Sequence, residues 1–465
     1  MTSVKKNPLG WEVISRDAPY PIGLPRLSEE EREVVAAVIE KFREHSREKE
    51  TEKPEDAKRA LSKLLLHYCN ENGIETDSAQ EEYLAGAAIA TIAGFCGLQK
   101  PLSDERIEEI SVIGLGKPVW IFLRNEGWKK TDLVFTSEEA LVDVINAMAR
   151  SMGRRITYQK PKINAVLPDG SRLHASIPPL SDGEITIRKF KQTPFTPCEL
   201  AQNRTLTFAS LAFLWAVMQF DFRVLVCGNT ASGKTTTLNA LFSFVPANER
   251  IVIFEETPEI CIPHEHALRL VSNEELGIDM NSLVWDSLRM RPDRVIVGEV
   301  RTKEEIGGLI ETMLAGQARG SYATMHAQSA SEALQRMLRL GISEMDCRSI
   351  DLIITQRRIS TYDSRKRKMG ENRRVMEICE VKKEGEFGVE KLFDYDAERD
   401  ALCGSMKGSE TVRRIASFFG GSEKEVLKEI GRREAFLEKL AGGKPSYAES
   451  CGRIQKFSYG GGGGN

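Results

Sequence analysis

Residues 228–237 read GNTASGKTTT: glycine, four residues, glycine, lysine, threonine. The β-rich run FRVLVC (222–227) leads into this stretch and TTTLNALFSF continues it as a helix-like segment. A strand that gives way to Gly228, Asn229, Thr230, Ala231, Ser232 and Gly233, and then to a helix at Lys234, Thr235 and Thr236, builds an anion cradle. The amides of the turn and of the first helical turn have no carbonyl within the helix to bond and point at whatever lies beyond it. The amides of 229–235 are predicted to face the phosphates of a nucleoside triphosphate. Lys234 is predicted to bridge the terminal phosphates, and the Thr235 hydroxyl to hold Mg²⁺.

Phosphoryl transfer also needs carboxylates for the metal and for the attacking water, and a neighbouring apolar strand commonly supplies one at its end. Glu299 stands there in DRVIVGE (293–299), and Glu255, Glu256 and Glu259 follow another β-run in RIVIFEETPE. A single strand-end carboxylate is ordinarily just solvated. Two acidic clusters, each after a β-run and each downstream of the cradle, make candidates of both. His326 ends GSYATMH (320–326). By its spacing alone it is more often a structural histidine than a functional one.

The elements that must position these groups are legible in outline. From 204 onward, helical stretches alternate with the short strands 222–227, 250–256, 293–299 and 320–326. That alternation predicts a parallel sheet with helices on both faces, an α/β core over 204–381. DLIITQRRIS (351–360) and RRVMEICEV (373–381) read as a hairpin joined by a basic loop. Upstream, residues 101–192 read as a smaller α+β domain. ISVIGLGKPVWIFLR (110–124) and INAVLPDGSRLHASI (163–177) are strand–turn–strand patterns, SEEALVDVINAMARSM (137–152) is an amphipathic helix, and EITIRKF (184–190) is a further strand. Residues 1–100 read as a helical leader, 193–203 as a proline-bearing linker, and 382–465 as a helical C-terminal region. That region includes SEKEVLKEIGRREAFLEKLAGG, with Ser422 as N-cap, and a disordered glycine tail.

Bulk properties narrow the function classes. The 465 residues carry 65 Lys+Arg against 68 Asp+Glu, so no global field draws the chain to nucleic acid or anionic lipid. Nine cysteines are scattered with no CxxC pair, which argues against a zinc ribbon and fits a reducing compartment. The opening MTSVKKNPLGWE has no apolar core like that of a signal peptide. The longest charge-free apolar stretch, LAGAAIATIAGFCGL (84–98), falls short of the ~18 residues that suggest a membrane span and reads as a buried helix. Direct membrane insertion is not expected, and any membrane association is expected to be peripheral or through a partner.

Four blocks in order, GNTASGKTT, FEETPE, RPDRVIVGEVR and ARGSYATMHAQSA, together with DGSRLHA and TIRKF upstream, resemble the type II/type IV secretion and pilus-assembly ATPases. The form RPDRVIVGEVR is most similar to the branch that includes Tad-type and archaeal pilus or archaellum motors. The resemblance covers about residues 101–380. It implies a RecA-like P-loop NTPase core behind a smaller N-terminal domain, use of ATP and Mg²⁺, and assembly as a homo-hexamer. It further implies work on a polytopic membrane platform protein from the cytoplasmic face of the membrane. By position, Lys234 and Thr235 match the phosphate and Mg²⁺ residues, and Glu299 the Walker B acid acting on Mg²⁺ or its water. Glu259 matches the presumed general base, with Glu255 and Glu256 in support, though the roles of Glu259 and Glu299 are exchangeable on this reading. His326 matches the γ-phosphate-sensing histidine. Arg172 and Arg188 match arginines that swing over the phosphates from the N-terminal domain. Glu256 departs from the family's usual Asp, and the paired-cysteine zinc module of many bacterial type II members is missing.

Three functions fit a P-loop core: a mechanochemical ATPase, a nucleotide-gated switch of low turnover, and a RecA-like nucleic-acid translocase. Two poised carboxylates argue against the switch. The basic loop SRKRKMGENRR (364–374) lacks an aromatic stacking platform, so no nucleic-acid partner is expected.

Overall fold

The computed structural model describes residues 7–14, 17–46, 54–92, 95–124, 126–190, 193–273, 276–314, 318–363 and 368–460. It divides into two compact units, Met1–Lys191 and Gln192–Asn465.

The first unit is built on seven antiparallel strands: β1 (Trp11–Val13), β2 (Ile107–Val112), β3 (Pro118–Leu123), β4 (Gly127–Phe135), β5 (Lys162–Val166), β6 (Arg172–Ser176) and β7 (Glu184–Arg188), in the order β1-β4-β3-β2-β7-β6-β5. Helices Glu29–Ser46, Pro54–Glu71 and Ser78–Ile92 lie within the stretch expected as a leader. Their apolar positions Val35, Val38, Leu61, Leu65 and Ala88 join Ile110, Ile121, Phe135 and Ile187 of the sheet in one core. These helices are therefore a layer of this unit, and β1 ties the N-terminal segment to the sheet through β4. The stretch 84–98 is not one helix: the first helix ends at Ile92 and a short 3-10 turn, Phe95–Gly97, follows. Among the described residues no helix is long and apolar enough to cross a membrane.

Among its described residues the second unit holds nine strands: β8 (Arg223–Gly228), β9 (Ile251–Glu255), β10 (Ala267–Val271), β11 (Arg294–Val300), β12 (Gly320–Met325), β13 (Leu352–Asp363), β14 (Lys368–Val381), β15 (Val389–Asp396) and β16 (Ala401–Gly404). Their order is β10-β9-β11-β12-β8-β13-β14-β15-β16. The run from β10 to β13 is parallel, and β13 to β16 is an antiparallel extension. Successive strand residues enter two different cores. Val224, Val226, Ile251, Ile253, Ile296 and Tyr322 pack on one face; Leu225, Cys227, Val252, Phe254, Val295, Val297 and Ala323 pack on the other. Side chains alternate across a sheet, so apolar residues at every position require cover on both sides.

Three strands lie outside the alternating pattern read from the sequence. β10 is an exposed edge strand whose residues lack a two-core signature. β15 and β16 open the C-terminal region, which is not helical throughout; the exposed charged residues of β15 and the shortness of β16 suit the margin of a sheet. Helices Glu410–Phe419, Glu423–Gly442 and Tyr447–Tyr459 follow. Ser422 caps the second of these in a capping box with Glu425. Trp215 stacks on Phe244 and meets Phe436 and Phe457, which roots the last two helices in the core of the unit. The expected glycine tail, 461–465, lies outside the described residues, as does 364–367 of the basic loop.

His264 carries a pH dependence of stability. It is buried, its Nε2 sits 3.1 Å from the Pro246 carbonyl, and its Nδ1 has no hydrogen-bond partner. Burial pushes its pKa below the ordinary histidine value, against smaller upward pulls from backbone carbonyls and Glu249. The folded chain thus binds this proton less readily than the unfolded chain. The contribution is complete above the unfolded pKa of about 6.5 and is lost as pH falls through it towards the folded value. The thermal midpoint is expected to drop between pH 7.5 and 5.5, and to drop less in His264→Gln. One group supplies at most about 1.4 kcal/mol per pH unit. Parallel melting curves for the two proteins would refute this assignment.

Candidate functional site

The carboxyl ends of parallel strands are where open α/β sheets gather ligand-binding groups. Here β8 ends at Gly228, β9 at Glu255 and β12 at Met325, while Glu299 is the penultimate residue of β11. Between β8 and helix Lys234–Leu241 the chain turns through Ala231 (φ +59°) and Gly233 (φ +96°). Gly228 is required by packing: a Cβ there would lie 2.1 Å from the Gln356 carbonyl oxygen and 2.4 Å from the Ser232 hydroxyl. The first bond of the helix runs from Thr237 N–H to Gly233 C=O, so the Thr235 and Thr236 amides have no acceptor within the helix. Lys234 is buried, and its Nζ donates to the carbonyls of Gly228 (3.1 Å) and Asn229 (3.4 Å). The Ser232 hydroxyl is fully buried without a hydrogen-bond partner. A turn with outward amides, a lysine lodged inside it and a buried hydroxyl fits a triphosphate tail.

The acidic groups surround that lysine. Glu299 Oε1 lies 3.8 Å from Lys234 Nζ and 2.7 Å from His326 Nε2. Its other oxygen accepts from both Nε (2.8 Å) and Nη2 of Arg301, whose Nη1 reaches Glu256 at 2.6 Å. Thr235 donates its hydroxyl to Glu259 Oε2 at 3.0 Å. Thr235 and Asn239 stand four apart on one helix face, and Asn239 fastens the same loop by donating to the Glu259 carbonyl (3.1 Å) and accepting from Cys261 N–H (3.0 Å). Glu255 is buried and turns back to accept from the Glu259 and Ile260 amides at 2.6 and 2.8 Å, with Arg269 3.0 Å away. Burial raises its pKa and those amides oppose the rise. Its bonds make it a brace of the 256–260 turn. His326 is held below its ordinary pKa by burial and by Lys234, against the pull of Glu299. It therefore stands neutral at pH 7, and its backbone oxygen accepts from Arg336 at 2.8 Å.

Lys234, Thr235, Glu259, Glu299 and His326 are thus brought together around the 228–236 turn. Arg172 and Arg188 belong to the other unit, where register sets them side by side on β6 and β7, with Glu109 of β2 beyond Arg188. Two like charges in register oppose each other. Among the described residues no group of three or more His, Cys, Asp or Glu could hold a metal alone. A Thr235 hydroxyl and one carboxylate suit Mg²⁺, which takes few protein ligands and completes its shell with phosphate and water.

Sequence reasoning gave no role to Arg301, Asn239, Gln356 or Arg373. Arg301 carried a signal, because it stands two after Glu299 and alternate residues of an extended chain share a face. Asn239 had a weaker one, four residues after Thr235 on a helix. Gln356 and Arg373 had none: they reach the turn through strand pairing.

The family model described as type II/IV secretion system protein matches residues 100–435. The chain belongs to this family. An uncharacterised protein of Methanocaldococcus jannaschii is 40% identical over 221 residues, 44% of this chain and 30% of that one, so the match spans under a third of that relative. The type IV secretion system protein VirB11 of Bartonella quintana is 26% identical over 277 residues, 51% of this chain and 76% of that one. Among solved structures, the ATPase DotB of Legionella pneumophila aligns with a TM-score of 0.46 at 17% identity, covering 80% of this chain and 96% of that one. Within the second unit the parallel run from β10 to β13 is an α/β core, and the first unit is a smaller α+β part with its helical layer.

Proposed function

We propose that this secretion-family chain hydrolyses ATP with Mg²⁺ and acts as a ring-forming motor, a homo-hexamer, that drives protein export or filament assembly. Its place is the cytoplasmic face of a membrane, working on a polytopic platform protein. The observation that carries the reading is the convergence of Lys234, Thr235, Glu259, Glu299 and His326 at the carboxyl ends of neighbouring strands. Mg²⁺ bound to the nucleotide supplies charge neutralisation at the transferring phosphoryl group. Lys234 holds a fixed positive charge in the cradle, and the turn amides orient the phosphate oxygens. The Thr235 hydroxyl and Glu299 stand ready as metal or metal-water partners. Glu259 takes the proton of the attacking water, and neutral His326 reports on the terminal phosphate through Glu299. Arg172 and Arg188 are assigned a charge-supplying role during turnover, on the likeness of DGSRLHA and TIRKF to the family's motifs.

The test separates the two carboxylates. Glu259→Gln is expected to lower kcat roughly 10²-fold with an unchanged Mg²⁺ half-saturation, as removal of a general base does. Glu299→Gln is expected to raise the Mg²⁺ requirement. Steady-state hydrolysis across a Mg²⁺ titration reads both. Full activity in both variants would remove the proposed chemistry, and the reversed pattern would exchange their roles.

A further inference from the structure

The β13–β14 hairpin holds the phosphate turn along its whole length. β13 pairs with β8 only as far as Gln356↔Gly228. Beyond that point the two strands continue together, to Asp363↔Lys368. Where β8 leaves the sheet to become the turn, the hairpin lies against it. Gln356 packs on both glycines, since a Cβ on Gly228 would meet its carbonyl oxygen at 2.1 Å and one on Gly233 its Nε2 at 2.9 Å. Its Oε1 accepts from the Thr237 hydroxyl at 2.7 Å. The Arg358 amide donates to Asn229 Oδ1 at 3.2 Å. At the middle of the turn, Arg373 Nε donates to the Ala231 carbonyl at 3.0 Å.

That last bond falls on the least self-supporting residue of the turn. Ala231 adopts φ +59° without being glycine, a conformation that L side chains occupy at a cost. An anion cradle works when amides face inward and carbonyls are turned away, and a peptide plane free to flip presents the wrong dipole to a phosphate. The peptide between Ala231 and Ser232 is pinned from both ends: its N–H donates to the Asn229 carbonyl and its C=O accepts from Arg373. The second pin is charged, comes from a different element, and is stronger than a neutral bond.

We propose that Arg373 is a positioning residue for the phosphate turn, holding the Ala231 carbonyl outward so that the cradle is ordered before nucleotide arrives. The proposal rests on the nucleotide-binding reading of the turn. Preorganisation of this kind acts on affinity, because the ordering cost otherwise falls on binding.

Arg358 supplies the control. It faces Arg373 directly across the hairpin, and its side chain pairs with Glu371, while only its backbone touches the turn. Arg358→Ala therefore removes the same charge from the same place without removing the pin. In Arg373→Ala, amide hydrogen exchange over 229–235 is expected to quicken in nucleotide-free protein. The Kd for a fluorescent ADP analogue is expected to rise about ten-fold, the scale of one charge-assisted bond. KM for ATP is expected to rise with it while kcat stays within about two-fold. Arg373→Lys, which keeps a cationic donor, is expected to recover part of the affinity, and Arg358→Ala to match the wild type in exchange and affinity. Equal weakening by both alanine variants would make the effect one of general electrostatics and overturn the assignment. So would unchanged exchange, or faster exchange with unchanged affinity, in Arg373→Ala. A wild-type chain that binds no ADP analogue would instead defeat the nucleotide reading, and the exchange comparison would still decide whether Arg373 orders the turn.

Discussion

Lys234→Ala is expected to lower ATP hydrolysis by about 10³-fold or more while leaving the fold in place. The side chain is buried at the start of helix Lys234–Leu241, with its ammonium on two carbonyls of the turn and Glu299 3.8 Å away. Water is largely excluded there, so a fixed charge acts on developing phosphoryl charge with little screening. Loss of one preorganised donor in such a setting costs about 10²–10³ in rate, and loss of a full charge costs more. Lys234→Arg is not expected to rescue, because a planar guanidinium cannot take the place of a compact ammonium enclosed by the Gly228 and Asn229 carbonyls. In the nucleotide-free state Glu299 keeps His326 and Arg301, so the unfolding midpoint is expected to change little. Hydrolysis assays beside thermal melts check both halves, and a variant that turns over at the wild-type rate would end the proposal of an ATPase at this site.

The largest effect on stability is expected at the opposite end of the same strands. Arg294 opens β11 with 0% of its surface exposed, and Glu249, 5% exposed, stands just before β9. Two bonds join them, Nε to Oε2 at 2.6 Å and Nη2 to Oε1 at 3.3 Å. The remaining donors reach the Phe220 carbonyl (2.7 Å), the Tyr322 hydroxyl (3.1 Å) and the Gln219 carbonyl (3.5 Å). Truncating one partner of a buried pair strands the other charge, at about 3–5 kcal/mol. The two truncations are not expected to be equal. Glu249 has a second cation in Arg319, 3.4 Å away and 62% exposed, so Arg294→Met leaves it a partner. Among the described residues, Glu249→Ala leaves the guanidinium of Arg294 without any carboxylate in contact. Glu249→Ala is therefore expected to cost more, and the double variant Glu249→Ala with Arg294→Met less than the sum of the two singles. Urea unfolding of the three proteins measures this. A cost below about 1 kcal/mol for Glu249→Ala would show that the pair contributes little to holding the strand ends.

The glycine-rich turn, the two acidic blocks and the strands of the parallel core other than β10 were determined by the sequence alone. Each is a local statement: glycine and lysine at fixed spacing, apolar runs covered on both faces, a carboxylate where a strand stops. Chain neighbours set these properties, so they are legible in order. What the residues do to one another was decided by tertiary structure. Glu255 and Glu256 are adjacent in sequence, yet one turns inward to brace amides and the other pairs with Arg301, because Glu255 is the last residue of β9 and the chain bends away at Glu256. Arg294 of RPDRVIVGE has no role legible in the sequence and is a buried anchor once β9 and β11 are neighbours. The first 100 residues read as a separate helical segment because amphipathicity shows that a helix has a partner without naming it; the partner is the sheet of the same unit. Arg373 lies 142 residues from the Ala231 carbonyl it holds. No periodicity spans that separation, and only the pairing of β13 with β8 on one side and β14 on the other brings the two together.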